Sequence, residues 1–194
     1  MEKNELYPIF LKVSQLNVLI VGGGKVAHEK LSFLLKSSPN ARVSLIALEF
    51  SKDLEGLAIE HNVKIIKKPY AIDCLEGRHI VIAATNNREV NKQIYTDAKA
   101  RFLLVNVADT PDLCDFYLGG IVTKGQIKVA ISTNGKSPTM AKRLRQFFEA
   151  VIPDEIDDLA ENLNRFRKGI KGDFAEKVTK LNTLTKGLLK EDND

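Results

Sequence analysis

In Leu16-Asn17-Val18-Leu19-Ile20-Val21-Gly22-Gly23-Gly24-Lys25-Val26-Ala27 an unbroken apolar run, Val18 to Val21, meets three glycines. An uninterrupted apolar run reads as a strand buried on both faces, as in a parallel sheet, and the glycines read as a tight turn into a helix. Gly22, Gly24 and Ala27 stand at the G-x-G-x-x-G/A spacing of a dinucleotide-binding turn. Each position has a physical task. Gly22 permits the turn, Gly24 lets backbone approach a pyrophosphate, and small Ala27 lets helix and strand close on each other. The anion is then held by unpaired N–H groups at the helix start.

Outward from the turn, strand-like and helix-like segments alternate. A helix is expected over 25–37, a strand over 42–48, a short helix over 52–60, a strand at 63–66 and a stronger one at 79–84. Thr85-Asn86-Asn87 opens a helix to about residue 100, and 102–107 is a fifth strand. Right-handed crossovers arrange five such strands as a parallel sheet in the order 3-2-1-4-5, with a ligand crevice at the carboxyl ends. Gly22, Thr85, Asn86 and Asn106 fall at or near those ends. Glu49 follows the second strand about 25 residues beyond Gly24, close to the ~20 at which an acid meets an adenosine ribose. A solvated acid after a strand is the other reading of Glu49.

The alternation stops after Asp109. Residues 116–122 and 126–132 read as a hairpin joined by Thr123-Lys124-Gly125, and Ser137-Pro138 as the cap and first turn of a helix to about Val151. Met140, Leu144, Phe147, Phe148 and Val151 share one face of that helix. A hairpin and helix alone bury little, so pairing with a second subunit is expected. Pro153-Asp154-Glu155 opens a last helical segment, interrupted at Gly169 and Gly172, with a second helix carrying Phe174, Val178, Leu181, Leu184 and Leu188 and a frayed end over 190–194. The fold class is therefore α/β: a Rossmann-type parallel sheet, then a β-hairpin/helix region, then a helical C-terminal region.

Composition narrows the function. The 194 residues hold 29 basic and 25 acidic side chains, a net charge of +4, too interleaved for a nucleic-acid footprint. Cys74 and Cys114 lie far apart without metal-ligand spacing, so neither zinc nor a disulfide framework is expected. The first residues are polar, and no run approaches the ~20 apolar residues of a membrane span, so a soluble cytoplasmic protein is expected.

Six separated segments carry a family resemblance: Tyr7-Pro8-Ile9-Phe10-Leu11, Val21 to Ala27, Ala83-Ala84-Thr85-Asn86, Asn106-Val107-Ala108-Asp109, Leu113-Cys114-Asp115-Phe116 and Ile131-Ser132-Thr133-Asn134-Gly135-Lys136-Ser137-Pro138. In order and spacing they resemble the precorrin-2 dehydrogenases of siroheme synthesis, some of which are also sirohydrochlorin ferrochelatases. The resemblance implies an NAD-binding Rossmann domain over 1–112, a dimerisation region over 113–152 and a helical region over 153–194. It implies a homodimer that oxidises precorrin-2 to sirohydrochlorin with NAD⁺ and, in bifunctional members, inserts Fe²⁺. The methyltransferase fused in larger siroheme synthases has no counterpart in these residues, so the substrate is expected to come from another enzyme.

The resemblance also distributes roles. Gly22, Gly23, Gly24, Lys25, Val26, Leu48 and Glu49 would line the NAD site, with Thr85 and Asn106 bordering the nicotinamide; Asn106 tying down a strand end is the alternative. Asp109 would be the general acid/base, although Asp109-Thr110-Pro111-Asp112 also reads as a helix cap and first turn. Ser132, Thr133, Asn134, Gly135, Lys136 and Ser137 would hold carboxylates of the tetrapyrrole through hydroxyls, N–H groups and positive charge, with Lys142, Arg143 and Arg145 nearby; a capped helix with a solvated basic face is the bland alternative. No resident metal site is expected. From another class, a nucleotide-sensing Rossmann module without turnover shares the glycine turn. Such a sensor requires neither the Asn106 to Asp109 segment nor the Ser132 to Pro138 loop.

Overall fold

The computed structural model describes residues 4–170 and 172–186. Five strands, β1 (Asn17–Val21), β2 (Arg42–Ala47), β3 (Lys64–Lys67), β4 (Ile80–Ala83) and β5 (Leu104–Val107), form a parallel sheet in the order β3-β2-β1-β4-β5. Helices α1 (Lys25–Ser37), α2 (Lys52–Glu60) and α3 (Arg88–Ala100) are the crossovers. Alternate residues of β1 explain its unbroken apolar run. Val18 and Ile20 pack with Ala27, Leu31 and Leu35 of α1 and Leu54 and Ala58 of α2, whereas Leu19 and Val21 pack with Ile94 and Ala98 of α3 and with Cys74 and Leu75. Burying one such side chain is worth roughly 1.5–3 kcal/mol, so both faces hold the sheet in place.

Two registers matter for function. Val21 stands opposite Ile46 and Ala83, and Ala83 opposite Val107. The carboxyl ends of β2, β1, β4 and β5 therefore lie in one row. The chain reverses its winding between β1 and β4, and an open α/β sheet forms its ligand crevice at such a point.

Several boundaries differ from the sequence expectation for local reasons. Phe102, expected to start a strand, has φ +58 and is 96% exposed in the turn after α3, so β5 begins at Leu104. A 3-10 turn at Ile72–Leu75, absent from the expectation, carries Cys74 and Leu75 into the core. The hairpin strands are β6 (Gly120–Lys124) and β7 (Ile127–Ile131), leaving a two-residue Gly125-Gln126 loop. Gly125 has φ +53, which suits the first central position of a type II′ hairpin turn. Residues 114–119 are irregular because Asp115 and Phe116 are bonded to β5 instead. The Asp115 N–H donates to Val105 O at 2.8 Å, Asp115 Oδ2 accepts the Val105 N–H at 3.0 Å, and Asn106 Nδ2 donates to Phe116 O at 2.8 Å. These bonds also cover part of the exposed edge of the sheet.

Helices α4 (Pro138–Val151), α5 (Ile156–Gly169) and α6 (Phe174–Thr185) follow. The chain divides into two compact units: residues up to Gly120 together with Ser132–Ala141, and Ile121–Ile131 together with the chain from Lys142. In the second unit, Lys124 pairs with Asp154 at 2.5 Å and Asp157 Oδ1 accepts the Gln126 N–H at 2.6 Å, so acidic residues fasten the hairpin turn. Phe147 and Phe148 meet edge to face with centroids 5.5 Å apart, and the Arg167 guanidinium lies 6.0 Å from the Phe174 ring centre. Leu188 and residues 190–194 lie outside the described residues. Among the described residues no helix is long and apolar enough to cross a membrane.

Candidate functional site

The glycine turn follows β1 directly, and each glycine meets a different environment. Gly22 has φ +140, donates its N–H to Ile46 O at 2.9 Å, and would place a Cβ 2.3 Å from Ala84 O. The turn is therefore pressed against the end of β4. Gly23 would place a Cβ 1.8 Å from Glu49 O, and its own carbonyl accepts the Ser51 N–H at 2.8 Å. Gly24 would place a Cβ in open space, with nothing within 4 Å. That opening lies at the start of α1, where the His28 N–H donates to Gly24 O at 3.1 Å.

The N–H groups of Lys25, Val26 and Ala27 precede any intrahelical partner, and no acid stands in the first turn of α1. Unpaired N–H groups of this kind, at the positive end of a helix dipole, favour an anion. Ala27 is fully buried against β1, which performs the close packing expected of it. Leu48 and Glu49, just past β2, are exposed beside this turn in the chain path.

Thr85 follows β4 and is held by Asn91, a residue the sequence reading passed over. Asn91 lies in α3, 7% exposed, where its Oδ1 accepts both the Thr85 N–H at 3.2 Å and the Thr85 hydroxyl at 2.6 Å while its Nδ2 donates to Thr85 O at 3.0 Å. A polar residue on the helix face that carries Ile94 and Ala98 was the available signal. Asn87 caps α3, accepting the N–H groups of Glu89 and Val90 at 2.9 and 3.2 Å.

Beyond β5 the chain makes a constrained turn around Asp109. Asn106 is 6% exposed, and its Nδ2 donates to Phe116 O and toward Cys114 Sγ at 3.4 Å, so its amide hydrogens tie the following segment to the strand. Cys114 Sγ accepts the Val107 N–H at 3.4 Å and lies 3.3 Å from Val107 O and 3.4 Å from Thr110 O, the carbonyls flanking Asp109. Burial pushes the Cys114 thiol up, which keeps the proton that it donates. Asp109 has φ +59 and an exposed side chain that makes no hydrogen bond or ion pair among the described residues.

The cap reading of Asp109 is corrected here. The short 3-10 helix at Pro111–Leu113 starts from Thr110, with no side-chain cap bond. A left-handed backbone at a non-glycine residue is strained, and Asp is among the residues that tolerate it. The turn presents the carboxylate rather than engaging it in a cap.

The Ser132 to Ser137 loop belongs to the same compact unit as the parallel sheet. Ser132 Oγ accepts the Asn134 N–H at 3.2 Å, and Thr133 Oγ1 accepts the Ser137 N–H at 3.2 Å. The Lys136 N–H donates to Thr133 O at 3.0 Å. Ser137 Oγ accepts the Met140 N–H at 3.1 Å, which makes Ser137 the cap of α4 with Pro138 in its first turn. Thr133 and Ser137 thus shape the loop, while Ser132, Gly135 and Lys136 are exposed on it. Among the described residues no three His, Cys, Asp or Glu side chains converge to hold a metal ion.

Comparison with known proteins bears on this geometry. The family described as putative NAD(P)-binding matches residues 9–120, and that described as sirohaem biosynthesis protein central matches 124–150. The siroheme synthase of Psychromonas ingrahamii is 39% identical over 164 residues, 84% of this chain and 34% of that protein. The siroheme synthase of Pseudoalteromonas translucida is 40% identical over 167 residues, 86% of this chain and 35% of that protein. The chain thus spans about a third of the length of these curated relatives. Among solved structures, SirC, precorrin-2 dehydrogenase, superposes with a TM-score of 0.75 at 20% identity, covering 92% of this chain and 89% of that one, which establishes a shared fold.

Proposed function

This chain belongs to the putative NAD(P)-binding family that its residues 9–120 match, and on that premise we propose that it oxidises precorrin-2 to sirohydrochlorin with NAD⁺ in siroheme synthesis. The observation that carries the reading is the row of strand ends: Val21, Ala83 and Val107 are in register, so the open turn at Gly24 and the carboxylate of Asp109 issue from the same edge of one sheet. At about 5 Å between neighbouring strands, the β1 and β5 ends are roughly 10 Å apart, which suits the nicotinamide half of a dinucleotide whose pyrophosphate lies at Gly24. The two siroheme synthase relatives support the choice of substrate.

In this reading Gly22, Gly23 and Gly24 shape the turn, and the N–H groups of Lys25 and Val26 hold the pyrophosphate. Leu48 and Glu49 meet the adenosine end, where the Glu49 carboxylate accepts ribose hydroxyls and repels a 2′-phosphate, favouring NAD over NADP. Thr85, fixed by Asn91, and Asn106 border the nicotinamide. When bound, the oxidised nicotinamide supplies a hydride acceptor. Precorrin-2 loses a hydride and a proton in becoming sirohydrochlorin, and Asp109 accepts the proton. The Ser132 to Ser137 loop, including Thr133, Asn134, Gly135 and Lys136, binds substrate carboxylates.

The same carboxylate could receive pyrrole protons as Fe²⁺, a second substrate, enters sirohydrochlorin. The exposed apolar residues Met140, Leu144, Phe147 and Val151 along α4 support a homodimer. Anaerobic incubation with precorrin-2, following sirohydrochlorin absorbance with and without NAD⁺ and then with Fe²⁺, tests the assignment. NAD⁺-dependent oxidation is expected; oxidation at the same rate without NAD⁺ refutes it.

A further inference from the structure

We infer that Gly23, the middle glycine of the turn, is a specificity-determining residue: it fixes where Glu49 stands and thereby sets the preference for an unphosphorylated adenosine ribose. The inference rests on the proposed role of Glu49. In the dinucleotide fingerprint the middle position is free to vary, because the turn and the pyrophosphate make their demands on its neighbours. Here that position has no room. A Cβ on Gly23 would lie 1.8 Å from Glu49 O, 2.8 Å from Glu49 C and 3.0 Å from Ala47 Cβ.

The obstructing atoms are backbone, so no side-chain rotation relieves them. A second contact locks the same approach, since the Gly23 carbonyl accepts the Ser51 N–H at 2.8 Å. Ser51 is the cap of α2, its Oγ accepting the N–H of fully buried Leu54 at 3.4 Å. The segment from Leu48 to Ser51 is therefore held between the glycine turn on one side and the core on the other. Any side chain at Gly23 must drive the Glu49 backbone away from Gly24 and the start of α1. The carboxylate that selects the adenosine ribose then loses its position relative to the groups that hold the pyrophosphate.

The test is a binding measurement that needs no tetrapyrrole. Calorimetric titration of the full chain with NAD⁺ and with NADP⁺ gives the ratio of the two dissociation constants, a quantity independent of the fraction of active protein. The native chain is expected to favour NAD⁺, and Glu49→Ala to lower the ratio by about tenfold or more. Gly23→Ala is expected to lower it by a comparable factor, and to lower it little further when combined with Glu49→Ala. Equal weakening of both cofactors by Gly23→Ala, with the ratio unchanged, overturns the inference while leaving the Glu49 role standing. An unchanged ratio in Glu49→Ala overturns that role and the inference with it. If Gly23→Ala does not fold, Ser51→Pro, which removes both the N–H that binds Gly23 O and the hydroxyl that caps α2, is compared with Ser51→Ala, which removes the cap alone; a lower ratio in Ser51→Pro than in Ser51→Ala is expected, and equal ratios overturn the inference.

Discussion

Asn91 grips Thr85 from both sides, accepting its backbone N–H at 3.2 Å and donating to its carbonyl at 3.0 Å. One buried amide thereby satisfies both backbone groups of Thr85, two residues past the end of β4. Asn91→Ala leaves the Thr85 backbone without these partners in a semi-buried site, where an unsatisfied group costs about 1–3 kcal/mol. A lowered thermal midpoint and weaker NAD⁺ binding are expected together, measured by thermal unfolding and calorimetry. Unchanged stability would mean that the loop after β4 is held by other contacts.

The three glycines are expected to respond differently. Gly22→Ala introduces both a disfavoured φ and a collision with Ala84 O, so the folded state should lose several kcal/mol. Gly24→Ala meets open space, and its stability should change by no more than about 1 kcal/mol while NAD⁺ affinity falls. Urea unfolding with and without NAD⁺ separates the two effects. Loss of stability without loss of affinity in Gly24→Ala would contradict the pyrophosphate assignment.

Asp109 offers a clean separation of folding from chemistry. Asn tolerates the left-handed backbone as Asp does, so Asp109→Asn should keep the thermal midpoint while turnover of precorrin-2 drops by about 10²–10⁴-fold, the usual worth of a general acid or base. Wild-type turnover in this variant would remove Asp109 from the chemistry.

Cys114 holds the carbonyls that flank Asp109, and its thiol is pushed above its ordinary value of 9.0 by burial. A group whose folded value is raised contributes stability below its unfolded value and loses it as pH rises through the folded one. The native chain should therefore weaken above about pH 9 relative to Cys114→Ser, whose hydroxyl retains the donor but does not titrate in that range. Thermal unfolding of both from pH 7 upward checks this. Parallel curves would show that the sulfur makes no difference. Cys114→Val, which keeps bulk but removes the donor, should lower the midpoint at every pH.

Much of the sheet was legible because its signals are local. The apolar run of β1 reports burial on both faces, and the Ser137-Pro138 pair reports a helix start through capping chemistry that acts within one turn. Phe102 misled for the complementary reason. Its apolar side chain suggested a strand, yet its backbone closes the turn out of α3 and leaves the ring in solvent. The Asp109 cap reading failed similarly, because the cap motif does not reveal that Asp109 takes a left-handed backbone and that the short helix starts one residue later, from Thr110.

From the sequence alone, periodicity and turn chemistry gave the strand order and the glycine turn, whose signals lie in neighbours along the chain, while the family resemblance implied most of the candidate residues. Tertiary structure alone decided what those residues do for one another. It set Glu49 O against Gly23, Asn91 around Thr85 and Cys114 beneath the Asp109 turn. Such contacts join segments brought together by strand register, and a bond between distant backbone and side-chain atoms leaves no periodic trace in the residues that form it.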